Sequence, residues 1–445
     1  MKIAFCLHHF LPTHIAGTEM YVFSLAANLQ AMGVEALVII PNLGSDSTEE
    51  YQQEGIRVIK YAENSLEDRT MILGKTKPDG LKLFVEIVKS EQPDVVHFHE
   101  LAPGRGTNIF HVQAVHDLHI PVVLTFHLSG YSCIRGSLVY KDEKKCDGII
   151  KISRCTDCAY QSKNITGLKA QVLGKTALAF FKLGFNTTKL DSTTGTALGF
   201  PFVINKIKSD LLKLSLLASK IVVLAQWYKT VLQSNGVPGE KIIYIPQGLT
   251  GSKQTTLAYR AIRLPLKLVF IGRISVLKGL HLLIDAMLNL AEEKVSLHIY
   301  GQDIGDDYAL HCKQKSVSKN NIHWMGVIAA EDVIATLTNY HVLCLPSTFS
   351  EMSPLVIQEA FAAGLPVLAS DVCGNAAQIK NGINGWLFRF KDALDLHAKI
   401  KMLTDDLSLI EGAKQHLPSP FLFRQVAAGQ LKVYEGVLNT NNLVA

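Results

Sequence analysis

No run of 18 apolar residues occurs anywhere in the 445-residue chain, so nothing reads as a membrane-spanning helix. The opening MKIAFCLHHFLP breaks its apolar run with two histidines and a proline and offers no small-residue cleavage site, unlike a signal peptide. Low-complexity tracts and fixed-period repeats are missing too, which excludes solenoids and propellers. Charge is sparse, 19% against 48% apolar residues, the balance of a globular chain that buries a core. These absences predict a cytoplasmic protein, and the length predicts two domains or a few.

Arginine is missing from one stretch that is otherwise rich in positive charge. Between Ala159 and Lys229 there are ten lysines and only Asp191 and Asp210 as acids, a segment of +8 in a chain of net +5, which leaves the remainder at −3. Several of these lysines stand among Leu, Phe and Val, as in KTALAFFKLGF and INKIKSDLLKLSLLASK. One reading is a solvated helix face. The sharper one is a basic amphipathic surface that meets anionic lipid or an anionic acceptor, and so a peripheral position at the inner face of the membrane. Nucleic acid is not expected, because the stretch lacks arginine and stacking aromatics.

What is present is an α/β rhythm, repeated. Lys2–Leu7 reads as a short buried strand, Thr18–Met32 as a helix ended by Gly33, and Val34–Ile40 as the next strand. DVVHFHE (Asp94–Glu100) and PVVLTFH (Pro121–His127) are apolar runs that break at polar residues. A long insertion at about 128–215 interrupts, and strands resume at Lys220–Gln226 and Lys241–Gly248. The polar stretch 249–263 reads as a linker. In the second half Leu266–Arg273 is a strand, Gly279–Asn289 a helix, VSLHIYGQ and NIHWMG strands, Glu331–Asn339 a helix, HVLCLPS a strand, Ser353–Ala363 a helix and LPVLASD a strand. Two Rossmann-like domains facing each other across a cleft are the expected fold, with boundaries at 1–255 and 256–420 and a last helical segment at 421–445.

Four elements carry chemistry. In Ser350–Gly364 (SEMSPLVIQEAFAAG), Ser353 before Pro354 is a natural helix start and Gly364 a natural stop. A helix N-terminus suits a diphosphate, and Glu359, about 7.5 Å further along the axis, stands where a ribose would lie. Glu351 precedes the helix and faces whatever hangs beyond the phosphates. Alone, the segment also reads as an ordinary amphipathic helix with two incidental acids. In Ile271–Gly279 (IGRISVLKG), Arg273 can fork onto phosphate oxygens while Lys278 supplies a point charge. Pro12–Glu19 (PTHIAGTE) is not a GxGxxG fingerprint, but Gly17 at a helix start lets backbone N–H groups approach a ligand. His127 ends a strand, a position where an isolated histidine is most often structural; His97, His99 and His116 show no ligand spacing.

A glycine loop after strand one, a TFH strand end, a strand-GR-x4-KG turn and an E-x7-E helix occur in that order. Together with ASD (Ala369–Asp371) and NGINGWLF (Asn381–Phe388), they resemble the glycosyltransferase family 4 enzymes, which have the GT-B architecture. The resemblance spans nearly the whole chain outside the insertion and is most specific over Leu266–Phe388. It implies a retaining transfer of a sugar from a nucleotide-diphosphate donor to a glycan or lipid-linked glycan, in cell-surface polysaccharide or lipopolysaccharide synthesis. It also implies roles: Arg273 and Lys278 hold the diphosphate, Glu359 the ribose, Glu351 the transferred sugar, and His127 the acceptor side. Gly17 belongs to the loop closing over the phosphates, Ser353 and Leu355 offer backbone donors, and the last helix crosses back to the N-terminal domain. The front-side displacement described for such families needs no metal, because the two cations do its work. The chain departs from the commoner pattern at Met352-Ser353-Pro354, Gln378, Asn375 and Ala16. Rival readings are a phosphorylase or sucrose-type synthase of the same architecture, and an inactive donor-binding scaffold.

Four of the eight cysteines fall within the insertion, Cys133, Cys146, Cys155 and Cys158, spaced C-x12-C-x8-C-x2-C. A structural zinc is the favoured reading, ahead of unligated or redox thiols and of disulfides. Cys6, Cys312, Cys344 and Cys373 read as packing residues.

Overall fold

The computed structural model describes residues 1–64, 76–99, 101, 106–190, 192–250 and 262–442. Most of the expected linker (251–261), Glu100 and Asp191 lie outside these residues. The chain forms two compact units, one made of residues up to 246 apart from 143–145, together with the last helix, and the other of 143–145 and 247–422.

The first unit is built on an eight-stranded sheet in the spatial order Ile242–Tyr244, Lys220–Val223, Val122–Phe126, Val95–His99, Lys2–Cys6, Glu35–Leu43, Ile56–Glu63, Glu49–Gln53. Every neighbouring pair is parallel except the last, where Glu49–Gln53 runs antiparallel at the edge. The central strands KIAFC, VVHFH and VVLTF are buried almost throughout, as a parallel sheet covered by helices on both faces requires. Strand order reverses between Lys2–Cys6 and Val95–His99, and at such a reversal the loops after the two strands part and leave a crevice. The last helix, Phe423–Asn442, packs on Gly17–Gln30. Tyr21 and Phe423 meet edge to face at 5.2 Å, and the Gln430 amide donates to the Tyr21 hydroxyl at 3.3 Å.

The insertion is helical. Ile152–Gln161, Gly167–Lys182 and Thr193–Leu217 pack on one another around Tyr160, Phe200 and Ile204, a cluster separate from the sheet core and much smaller. The third of these helices runs on to Leu217, two residues past the expected end of the insertion, and leads straight into the Lys220–Val223 strand.

The second unit holds a six-stranded, wholly parallel sheet: Ile322–Gly326, Val295–Tyr300, Leu266–Ile271, Val342–Leu345, Val367–Ser370, Gly385–Phe388. Alternate residues of one strand feed two different cores. Leu266, Leu268 and Phe270 join the cluster that includes Leu297 and Leu283, while Val269 joins Leu343, Ile357 and Val367 on the other face. The sheet reverses between Leu266–Ile271 and Val342–Leu345. Two helices differ from the sequence reading. The one expected at Glu331–Asn339 is a 3-10 turn, Ala330–Asp332, followed by only Val333–Leu337. The one expected from Ser353 begins at Leu355: Pro354 stays extended, φ −66° and ψ 121°, in the capping position, and no side chain caps the helix. Proline fixes φ but leaves ψ free, so it serves here as the last extended residue rather than the first helical one.

Candidate functional site

In the second unit the expected residues gather at the reversal of the sheet. After Leu266–Ile271 comes Arg273, exposed and with no hydrogen bond or ion pair among the described residues. The chain then makes a 3-10 turn, Val276–Lys278, and reaches Gly279 at φ +70°. A Cβ there would stand 1.9 Å from the Pro346 carbonyl oxygen, so only glycine lets the turn dock on the loop after Val342–Leu345. Thr348 fastens the docking: its N–H donates to the Leu277 carbonyl at 2.8 Å and its hydroxyl to that of Val276 at 2.7 Å.

That docking brings Lys278 to Glu351. The ammonium donates to Oε1 at 2.6 Å, and the Ser347 hydroxyl donates to the same oxygen at 2.8 Å. Glu351 is buried, 7% exposed, and these two donors replace water at one of its oxygens. Behind it the Ser370 hydroxyl donates to the Ser347 carbonyl, and the Asn375 amide donates to the Ser370 carbonyl at 3.0 Å. A Cβ on Gly374 would stand 2.2 Å from the Glu351 carbonyl oxygen. Asn375 and Gln378, departures from the family pattern, are therefore both employed: Gln378 donates to the Pro354 carbonyl at 3.3 Å.

Glu359 is the fifth residue of the Leu355–Ala362 helix, half-buried, with no partner for its carboxylate among the described residues. Burial pushes its pKa up to about 7. The first N–H groups of the helix, those of Leu355 and Val356, have no intrahelical acceptor and carry the positive end of its dipole. Ser353 contributes no cap, contrary to expectation.

In the first unit His127 follows Val122–Phe126 and is buried, its Nε2 2.9 Å from Nδ1 of His99. Burial pulls its pKa down to about 3 and puts those of His97 and His99 well below the ordinary value, so all three are neutral at pH 7. Nε2 of His99 is buried with no partner among the described residues. A bare lone pair there costs less than an orphaned N–H, which favours the tautomer in which His99 donates from Nδ1 to His127. In that tautomer the free nitrogen of His127, Nδ1, is a donor. His97 lies between the Tyr434 hydroxyl and the Thr125 hydroxyl, each at 2.7 Å, and the Tyr21 ring meets that of His127 edge-on at 4.9 Å. The sequence reading left His97 and His99 unused. Their i, i+2 spacing on one strand, which puts both rings on the same face, was the available signal.

Gly17 is the first residue of its helix, and a Cβ there would meet nothing within 4 Å, so the glycine leaves an open approach rather than relieving a clash. Glu19, in the same first turn, is buried at 1% exposure, with no partner for Oε2 among the described residues. The four insertion cysteines line one small cavity.

An eight-stranded sheet, parallel but for its edge strand, and a six-stranded parallel sheet in separate units, each with polar side chains gathered at its reversal, define the GT-B class. Solved structures of that class superpose along nearly the full length. A glycosyltransferase from Rickettsia africae covers 98% of each chain at TM-score 0.64 and 18% identity. Anabaena Alr3699/HepE, solved with UDP and glucose, covers 98% of this chain and 100% of its own at TM-score 0.62 and 16% identity. Sequence models agree: residues 15–166 match Glycosyltransferase Family 4 and residues 263–415 match Glycosyl transferases group 1. The chain belongs to the family 4, group 1 glycosyltransferases. Among its relatives, a glycogen synthase of Mycobacterium tuberculosis is 26% identical over 200 residues, 44% of this chain and 48% of that protein. A putative colanic acid biosynthesis glycosyltransferase, WcaL, of Salmonella typhimurium is 29% identical over 176 residues, 38% and 43% respectively. The chain thus spans about half the length of the relatives it matches.

Proposed function

We propose that this protein is a retaining glycosyltransferase that moves a sugar from a nucleotide-diphosphate donor to a glycan or lipid-linked glycan acceptor in polysaccharide or lipopolysaccharide assembly. The observation that carries this reading is the cluster at the reversal of the second sheet. It holds a cation and a carboxyl group that have no partner among the described residues, a cation–carboxylate pair and a helix N-terminus, within two βα loops and one helix. In the reaction the bond from the sugar's anomeric carbon to the diphosphate oxygen breaks, and the glycosidic bond forms on the same face. The acceptor's hydroxyl proton passes to the departing phosphate oxygen. Arg273 and Lys278 stabilise the charge that develops on the diphosphate, Glu359 accepts from the ribose hydroxyls, and Glu351 orients the sugar while restraining Lys278. His127 donates through Nδ1 to the sugar or acceptor.

A panel of nucleoside diphosphates in thermal-shift titration, followed by their sugars with release of the diphosphate as readout, tests this. UDP is the first to try, given the Anabaena neighbour. One nucleotide is expected to raise the melting temperature with concentration, and its sugar to release it slowly to water. Glu359→Ala weakens the shift, whereas Glu351→Ala and His127→Ala lower turnover by about 100-fold with the shift retained. No shift and no release across the panel would leave the scaffold reading. Sugar phosphate formed from a glycan and inorganic phosphate would leave the phosphorylase.

A specific surface supports a peripheral position. No described helix is long and apolar enough to cross a membrane. The Gly167–Lys182 helix, however, turns Leu168, Val172, Lys175 and Lys182 outward at helical spacing, and Leu183 and Phe185 follow, with Leu168 at 76% and Phe185 at 64% exposure. Between Ala159 and Leu190 five lysines face no acid in the sequence. We take this as the face that lies on anionic lipid. Sedimentation with vesicles is expected to be salt-sensitive and to require anionic lipid; equal sedimentation with neutral vesicles would reduce it to a solvated face.

A further inference from the structure

Cys133 stands in the loop after His127, Cys146 some way along the chain, and Cys155 and Cys158 one turn apart on the Ile152–Gln161 helix. The fold brings all four to the wall of one cavity of about 20 Å³, room for a single water-sized occupant. A backbone N–H already points at one of the sulfurs, Lys141 to Cys158 at 3.3 Å. The cavity is also bordered by Arg135 and Arg154, and Arg135 reaches Cys158 Sγ at 3.8 Å.

We propose that Cys133, Cys146, Cys155 and Cys158 bind one zinc ion that pins the insertion. Four sulfurs match the closed tetrahedral set of a structural zinc. Binding releases four thiol protons to solvent and leaves a Zn(Cys)4 centre of charge −2, beside which the two arginines stand. Among the described residues no three His, Cys, Asp or Glu side chains stand at ligand separation, so binding requires the sulfurs to move inward. The insertion has a use for such a staple. Its own core is small, centred on Tyr160, Phe200 and Ile204, and the loop with Cys133 begins directly after His127. The metal would hold that loop while taking no part in chemistry.

The full chain, purified without chelator from reducing cytoplasm, is tested by metal analysis. About one zinc per chain is expected, falling to near zero in Cys155→Ser and in Cys158→Ser but unchanged in Cys373→Ser, whose thiol lies in the other unit. Because either insertion variant could fail to fold, the metal-stripped wild-type chain is also titrated with Co2+. Sulfur-to-cobalt charge-transfer absorption saturating at about one equivalent, and bleached by zinc, is the expected result. Absence of that absorption, or a Cys155–Cys158 disulfide found by mass spectrometry in the purified chain, overturns the proposal. Neither outcome bears on sugar transfer, so the two readings fail separately.

Discussion

The carboxylate cluster of the second unit and the histidine cluster of the first both sit at the ends of parallel strands, yet they bury polar groups in opposite ways. Glu351 meets a cation, for Lys278 and Ser347 both donate to one of its oxygens. His127, His99 and His97 are neutral at pH 7, because burial lowers the pKa of each ring, and the hydrogen bonds among them run between uncharged partners. A charged cluster supplies field, suited to a diphosphate; a neutral one supplies direction, a donor aimed by the tautomer of its neighbour. The difference teaches that these sites divide electrostatics from positioning.

The comparison breaks most visibly at Lys278. Replacing it by Met leaves Glu351 buried and unpaired, which should cost the second unit about 3 kcal/mol of unfolding free energy, while Lys278→Met with Glu351→Gln should recover most of it. Urea unfolding followed by Trp324 and Trp386 fluorescence reads this unit; a single variant as stable as the double would show that the pair holds nothing.

Next in size are opposite pH dependences. His127 titrates at about 3 folded against 6.5 in the open chain, so the stability it contributes is present above pH 6.5 and is lost as pH falls toward 3. Glu359 titrates at about 7 folded against 4.5, so its contribution is full below pH 4.5 and is lost as pH rises through 7. Glu359→Gln should therefore flatten the second unit's stability over pH 4.5–7 by on the order of 1 kcal/mol, allowing for its partial exposure, and leave the first unit's acid slope unchanged. Trp227 fluorescence reports the first unit. Equal slopes in wild type and variant would remove Glu359 as the titrating group.

The smallest effect sharpens the local geometry. Ser353→Ala should change stability by less than about 0.5 kcal/mol, since the serine caps nothing, whereas a capping serine would cost about 1 kcal/mol. Thermal unfolding of the two chains decides between them.

Much of this was legible beforehand, for a physical reason. Parallel strands buried on both faces must read as unbroken apolar runs, so PVVLTFH and LKLVFIGR announce both themselves and the polar loops that follow. Ligand chemistry in such sheets belongs to those loops, which is why Arg273, Lys278 and His127 could be picked out. Local preference misled where two residues shared a boundary: Ser353-Pro354 has the composition of a helix start, but ψ of Pro354 is set by the packing of the loop. His97 and His99 stayed hidden because their partners, Tyr434, Thr125 and His127, come from other elements.

By itself the sequence determined the long apolar strands, though not Glu49–Gln53 and Ile56–Glu63, and which loops carry cations, and that Glu351 and Glu359 flank one helix start. Those depend on interactions between near neighbours along the chain. Only the tertiary structure decided that Lys278 and Glu351, 73 positions apart, would form one ion pair, through a Gly279 that fits under Pro346 and a Gly374 that fits under Glu351. It likewise decided that the rings of His99 and His127 would meet nitrogen to nitrogen. Such contacts depend on sub-ångström fit between segments distant in sequence, and neither spacing nor composition encodes that fit.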